Sequence, residues 1–272
     1  MKVLLYDGTF DGLLSAIFDA YDLRVQVGRI VPAFEHEASL FEQPITCIFD
    51  KNKANRVQKA IVSKTSKGAL KILYSAFLSE EADVEMRIYR FVQAAMASKI
   101  SVEENFLDDN ILHLHQLKKK IDREVHRMHA FVRFQLTKDE IYYAVIEPDF
   151  NVMPLISDHF EKRYPAQQWL IYDARRHYGI FYDKTKTDFI TFAEQNPLQL
   201  RQLPSSILDA AETGYQVAWK HYFDSVNIPE RKNIKLHLQH VPRRYWKYLS
   251  EKNTELNVTT DLIKKLNSES KK

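Results

Sequence analysis

Residues 131–150 read FVRFQLTKDEIYYAVIEPDF, and residues 169–183 read WLIYDARRHYGIFYD. In the first stretch, Phe131–Leu136 and Tyr142–Pro148 are two β-branched and aromatic runs joined by the polar turn Thr137–Glu140, which predicts a hairpin. The second stretch predicts another hairpin, with Arg175–Gly179 near its turn. Between them, Asp149, Phe150 and Asn151 followed by Pro154 lead into a helix through His159 to Arg163.

Away from this centre the periodicity is helical on both sides. Thr9 caps a helix whose apolar stripe is Phe10, Leu13, Leu14, Ile17, Phe18 and Tyr21, with Asp11, Ser15, Asp19 and Asp22 off it. Arg24–Phe34 and Ile45–Phe49 read as extended segments broken by Pro32 and Pro44. Asp50 caps a helix through Lys53 to Ser63, and further helices are predicted at 67–79, 82–99 and 105–129. The last of these carries Leu107, Ile111, Leu114, Leu117, Ile121, Val125 and Met128 at near-heptad spacing, the pattern of a coiled-coil seam or of a helix packed on its own core. Pro204 starts a helix through Trp219 and Phe223, and Pro242 starts a short basic aromatic helix, RRYWKYL. The prediction is an α+β fold, mostly helical, with a small antiparallel sheet of two hairpins. It forms one domain over residues 1–251, with a sub-boundary near 80–105, and a polar tail follows over 252–272.

The chain has 272 residues, of which 45% are hydrophobic, enough for a substantial core. No apolar run reaches the length of a membrane span and no leader pattern precedes the first strand, so a cytoplasmic protein without membrane contact is expected. The single Cys47 cannot build a disulfide, a cluster or a thiolate zinc site. With 6 glycines and neither G-x-G-x-x-G nor a P-loop, dinucleotide and P-loop nucleotide chemistry are disfavoured, and no cofactor is expected.

Asp7-Gly8-Thr9 after an apolar strand has the look of a haloacid-dehalogenase-type phosphatase loop. Such a loop needs a nucleophilic Asp two residues earlier, where this chain has Leu5. A turn that starts the first helix is the remaining reading.

Net charge is only +3, but it is unevenly spread. Residues 231–247, RKNIKLHLQHVPRRYWK, hold Arg231, Lys232, Lys235, Arg243, Arg244 and Lys247 with no acid. The span Lys118–Arg133 is also basic, whereas the first forty-five residues lean acidic. A polyanion-binding face has this distribution, and so does a solvated basic face. Tyr245 and Trp246 lie among the cations near residue 243 and offer flat rings to unstacked bases, or else anchor the core. Arg175 and Arg176 beside Asp173 make either an ion pair at a turn or a guanidinium pair for phosphate. Glu147, Asp149 and Asp173 fall at strand ends, where convergence would make an acid/base pair and its absence would leave turn and cap residues. His126 and His129 are three apart on the long helix beside Glu124. A metal there would need a third ligand such as Asp149, Asp158 or His159, and no metal is expected.

Four blocks carry a resemblance: YDGTFDGLLSAIFDAY, EVHRMHAFVRF, AVIEPDFNVMPLISDHFEKRYPAQQWLIYDARRHYG and IPERKNIKLHLQHVPRRYWKYLSE. In this order, from Tyr6 to about Glu251, they resemble a bacterial family labelled as DNA repair or DNA metabolism proteins. Ala130 and Asp149 depart from it, standing where a glycine and often a histidine are expected. The resemblance implies a radical-SAM partner related to spore photoproduct lyase and encoded beside the chain. Because some relatives are fused to a uracil-DNA glycosylase-like domain, it also implies association with such a protein. It implies no catalytic residue, and the chain lacks a C-x-x-x-C-x-x-C cluster motif and a glycosylase active-site block.

Three functions follow as expectations. The first is a DNA-binding accessory protein of a repair or base-modification system that holds opened or single-stranded DNA for a partner enzyme. The second is an enzyme acting on nucleic acid through Glu147, Asp149 or Asp173 with His126 or His159. The third is an interaction scaffold whose basic face meets an acidic protein.

Overall fold

Strand β1 (Lys2–Tyr6) is buried on both faces, the pattern of a parallel sheet covered by helices. The computed structural model describes residues 1–37, 42–191, 206–226 and 234–252, and divides the chain into two compact units, Met1–Arg123 and Glu124–Lys272.

In the first unit, β1 leads through a turn into α1 (Phe10–Asp22), β2 (Val27–Pro32), β3 (Ile45–Thr46), α2 (Lys51–Lys64), α3 (Lys67–Phe77), α4 (Val84–Ala97) and the start of α5 (Asp109–Phe131). The sheet order is β2-β1-β3, all parallel. Asp7 closes the turn after β1: its Oδ1 accepts the Thr9 amide at 2.9 Å and the Thr9 hydroxyl at 2.8 Å. Thr9 in turn caps α1 by accepting the Gly12 amide. Gly8 takes φ +82° under the ring of Phe34, so a side chain there would be both strained and blocked. The Asp-Gly-Thr motif is thus a strand-to-helix turn.

Leu13, Leu14 and Ile17 of the predicted α1 stripe are fully buried, Phe10 and Phe18 are half-buried, and Tyr21 is 45% exposed. Ser15, off that stripe, is buried as well, because its hydroxyl donates to the Asp50 carbonyl and accepts the Asp50 amide. Asp50 then caps α2 through the Asn52 and Lys53 amides. Cys47 is buried in the same core, and desolvation, with Asp19 nearby, pushes its thiol up to about 11. On α5, Ile111, Leu114 and Leu117 are buried in this core, so that part of the heptad pattern serves internal packing. Leu107 precedes the helix and is 97% exposed.

The second unit corrects the predicted sheet. Strands β4 (Gln135–Leu136), β5 (Tyr142–Ile146), β6 (Trp169–Asp173), β7 (Tyr178–Tyr182) and β8 (Thr187–Thr191) form one five-stranded sheet in sequence order. Both predicted hairpins, β4–β5 and β6–β7, are present. They are fused by a parallel β5–β6 pair, for which α6 (Met153–Arg163) is the crossover, and β8 extends the edge. Local periodicity specifies each hairpin, whereas the parallel pairing depends on where α6 returns the chain.

Helix α7 (Glu212–Val226) begins later than Pro204. Residues 207–209 instead run beside β4, with Lys138 donating to the Ile207 carbonyl and Asp209 to that of Leu136. Asp209 then turns the chain into the helix by accepting the Ala211 amide. After α8 (Ile234–His240), the segment Arg243–Tyr248 forms as predicted behind Pro242, but as a 3₁₀ helix. The predicted tail from residue 253 onward lies outside the described residues. Among the described residues, no helix is long and apolar enough to cross a membrane.

Candidate functional site

Parallel pairing sets Ile146 beside Asp173, so the segments that follow β5 and β6 leave the same edge of the second unit's sheet. Asp173, fully buried, organises the second of these. It accepts the Arg175 amide at 2.8 Å, the Arg176 amide at 3.1 Å and the Arg176 guanidinium at 2.9 Å. Burial raises the Asp173 carboxyl above its ordinary range, with Arg176 and the two amides opposing. Arg176 also donates to the Pro148 and Asp149 carbonyls, and Arg175 to that of Asp149. Of the two readings open for this pair, the ion pair at the turn is what Arg176 forms. Both guanidiniums hold the loop after β5.

That loop carries Glu147 and Asp149. Glu147 accepts the ammonium of Lys247 and, at 2.5 Å, the hydroxyl of Tyr248. Asp149 pairs with Arg244 at 2.7 Å. The 3₁₀ helix therefore sits over the loop, fixed by a cation to each carboxylate.

Beneath it lies Glu124, on α5 and 1% exposed. Its carboxylate accepts the Tyr245 hydroxyl at 2.6 Å, the Asp149 amide at 2.9 Å, Arg244 at 3.3 Å and Arg127 at 3.4 Å. Tyr245 is 2% exposed and its phenol ionises far less readily than usual, first from burial and then from Glu124, against the pull of Arg244. Glu124 is the hub that sequence reasoning missed. Its signal was position: it lies three residues after Ile121 and four before Met128, on the buried stripe of an amphipathic helix. A carboxylate there must be paired.

The histidines form a different group. The rings of His129 and His159 stack at 3.9 Å with an interplanar angle of 15°, and Phe160 meets both edge-on. Nε2 of His129 is buried without a hydrogen-bond partner, and desolvation, with His159 and His126 beside it, lowers its pKa to about 4. His126 and His159 are exposed. Among the described residues no three His, Cys, Asp or Glu side chains converge as a metal site.

Of the remaining cations, Arg231 and Lys232 lie outside the described residues. Lys235 is exposed on α8. Arg243 is exposed, lying over the Trp246 ring at 5.9 Å. Trp246 is half-buried, donates to the Val241 carbonyl at 3.0 Å and also carries Lys252 at 5.3 Å. The structure thus divides the basic aromatic segment. Tyr245, Arg244 and Lys247 are tied to carboxylates, while Arg243 and Lys235 are exposed and Trp246 is half-buried.

Chemically, the three strand-end carboxylates are each neutralised by a fixed cation, an arrangement that positions a segment more readily than it moves protons. A search of curated proteins found no significant match. A family model described as a domain of unknown function, DUF4130, matches residues 82–251, more than half of the chain and all of the network built on Glu124. The chain belongs to the DUF4130 family.

Proposed function

We propose that this protein is a nucleic-acid-binding accessory protein of a DNA repair or base-modification system, presenting opened or single-stranded DNA to a partner enzyme. The observation that carries the reading is the pairing of Glu147, Asp149 and Asp173 with Lys247, Arg244 and Arg176. Carboxylates so engaged serve as a scaffold, and what they hold is a basic aromatic segment in which an exposed Arg243 lies over the half-buried Trp246. The chemistry belongs to the partner, a radical-SAM protein or a uracil-DNA glycosylase-like protein, as the family resemblance implies.

Fluorescence anisotropy with single- and double-stranded oligonucleotides over a salt series tests this. Binding should weaken steeply with salt, and Arg243→Ala should reduce the log–log slope by about 1. Wild-type protein that binds neither oligonucleotide at low salt overturns the reading. Co-expression with the radical-SAM protein should give a complex on size exclusion, and the chain alone should yield no product by mass spectrometry from a panel of damaged oligonucleotides.

A further inference from the structure

Helix α7 shows an aromatic face that the Glu124 network does not use. Tyr215, Trp219 and Tyr222 follow one another at spacings of four and three, which puts them on one side of the helix. They are 65%, 39% and 59% exposed. Large rings on one stripe ordinarily mark the face a helix buries, and here that stripe is open. The Trp219 and Tyr222 rings lie 5.7 Å apart, tilted by 33°.

Cations lie over two rings of this helix. The Arg133 guanidinium lies over the Trp219 ring at 5.5 Å, held there by Glu251 at 2.8 Å. Lys252 lies over Phe223 at 4.8 Å and over Trp246 at 5.3 Å, joining α7 to the basic 3₁₀ helix. The acids Glu212 and Glu251 are turned inward, 5% and 8% exposed. Glu212 accepts the Leu136 amide and Gln216, and Glu251 accepts Arg133 and the Trp219 indole N–H. Residues 234–252 carry five Lys or Arg (235, 243, 244, 247 and 252) against Glu251 alone.

We infer that Tyr215, Trp219 and Tyr222 form a stacking platform for successive bases of a single strand, with Lys252 beside it and, across Trp246, Arg243 for the phosphates. Exposed rings accept any base face, and adjacent cations neutralise the backbone without reading sequence. The occupant is single-stranded nucleic acid rather than duplex, whose bases are already stacked on one another. This assignment rests on the nucleic-acid reading above and gives it a site other than Tyr245, whose ring is buried.

The test is anisotropy of the full chain with a fluorescent oligothymidine. Tyr215→Ala and Tyr222→Ala should each weaken binding about 5- to 150-fold, with the salt slope unchanged. Trp219→Phe keeps a ring and should retain most of the affinity. In a Trp246→Phe background, with Trp169 fully buried, oligonucleotide should quench the Trp219 emission. A folded Tyr215→Ala/Tyr222→Ala double variant that binds like wild type overturns the platform and leaves the nucleic-acid reading standing. Wild type that binds no oligonucleotide overturns both. Loss in the double variant of a complex with a protein partner, with oligonucleotide binding intact, makes the stripe a protein-docking face and also overturns the platform.

Discussion

Glu124 fixes the position of Tyr245, 121 residues away, and through Tyr245 the packing of its segment. Tyr245→Phe removes a hydrogen bond to a buried carboxylate with little change of shape, so it should destabilise the protein by about 1.5–3 kcal/mol, read from a urea midpoint at constant m-value. Asp173→Ala should cost more, about 3–5 kcal/mol, because the nearly buried Arg176 guanidinium loses its counter-charge and two amides lose their acceptor. His129 gives a pH signature. Its pKa is near 4 when folded and 6.5 ordinarily, so the unfolded chain takes up the proton first. Its contribution is full above about pH 6.5 and is lost as pH falls towards 4. In His129→Phe the slope of stability between these values should shrink, measured by denaturation at several pH values. Much at this scale was readable in advance: Thr9 and Asp50 as caps, and Asp7–Thr9 as a turn that starts a helix. Tyr245 was not, because nothing in RRYWKYL says which ring turns inward until Glu124 is placed beneath it.

Helices and hairpins were legible wherever the determining interactions are local. The 3.6-residue stripe of α1, the caps of α1 and α2 and the polar turn between β4 and β5 lie within a few residues of what they specify. The five-stranded sheet was not, since β5 and β6 meet across α6 and no periodicity encodes that register. Strand β8, TDFIT, escaped notice because it is largely exposed and carries little alternation. Helix α5 offered two readings, and Leu114 and Leu117, both wholly buried, decide for internal packing. Leu114→Ala should therefore cost about 2–5 kcal/mol without altering the oligomeric state, as scattering-coupled size exclusion would show. A change in that state at equal stability would mean that the heptads pair between chains.

The matched family segment begins at residue 82, inside the first unit, and not at the division between Arg123 and Glu124. Its first helix, α4, buries Ile88, Phe91 and Val92 in a core shared with Leu13, Leu14 and Ile17. A fragment of residues 82–251 would leave those side chains in water, and should elute as an aggregate where the whole chain elutes as a discrete species. Cys47 offers a way to watch the first unit alone. A sole thiol, 4% exposed and held protonated well above neutral pH, is shielded from alkylating reagents until its surroundings open. Its labelling rate is then a clock for opening of the parallel sheet, and it requires no engineered probe.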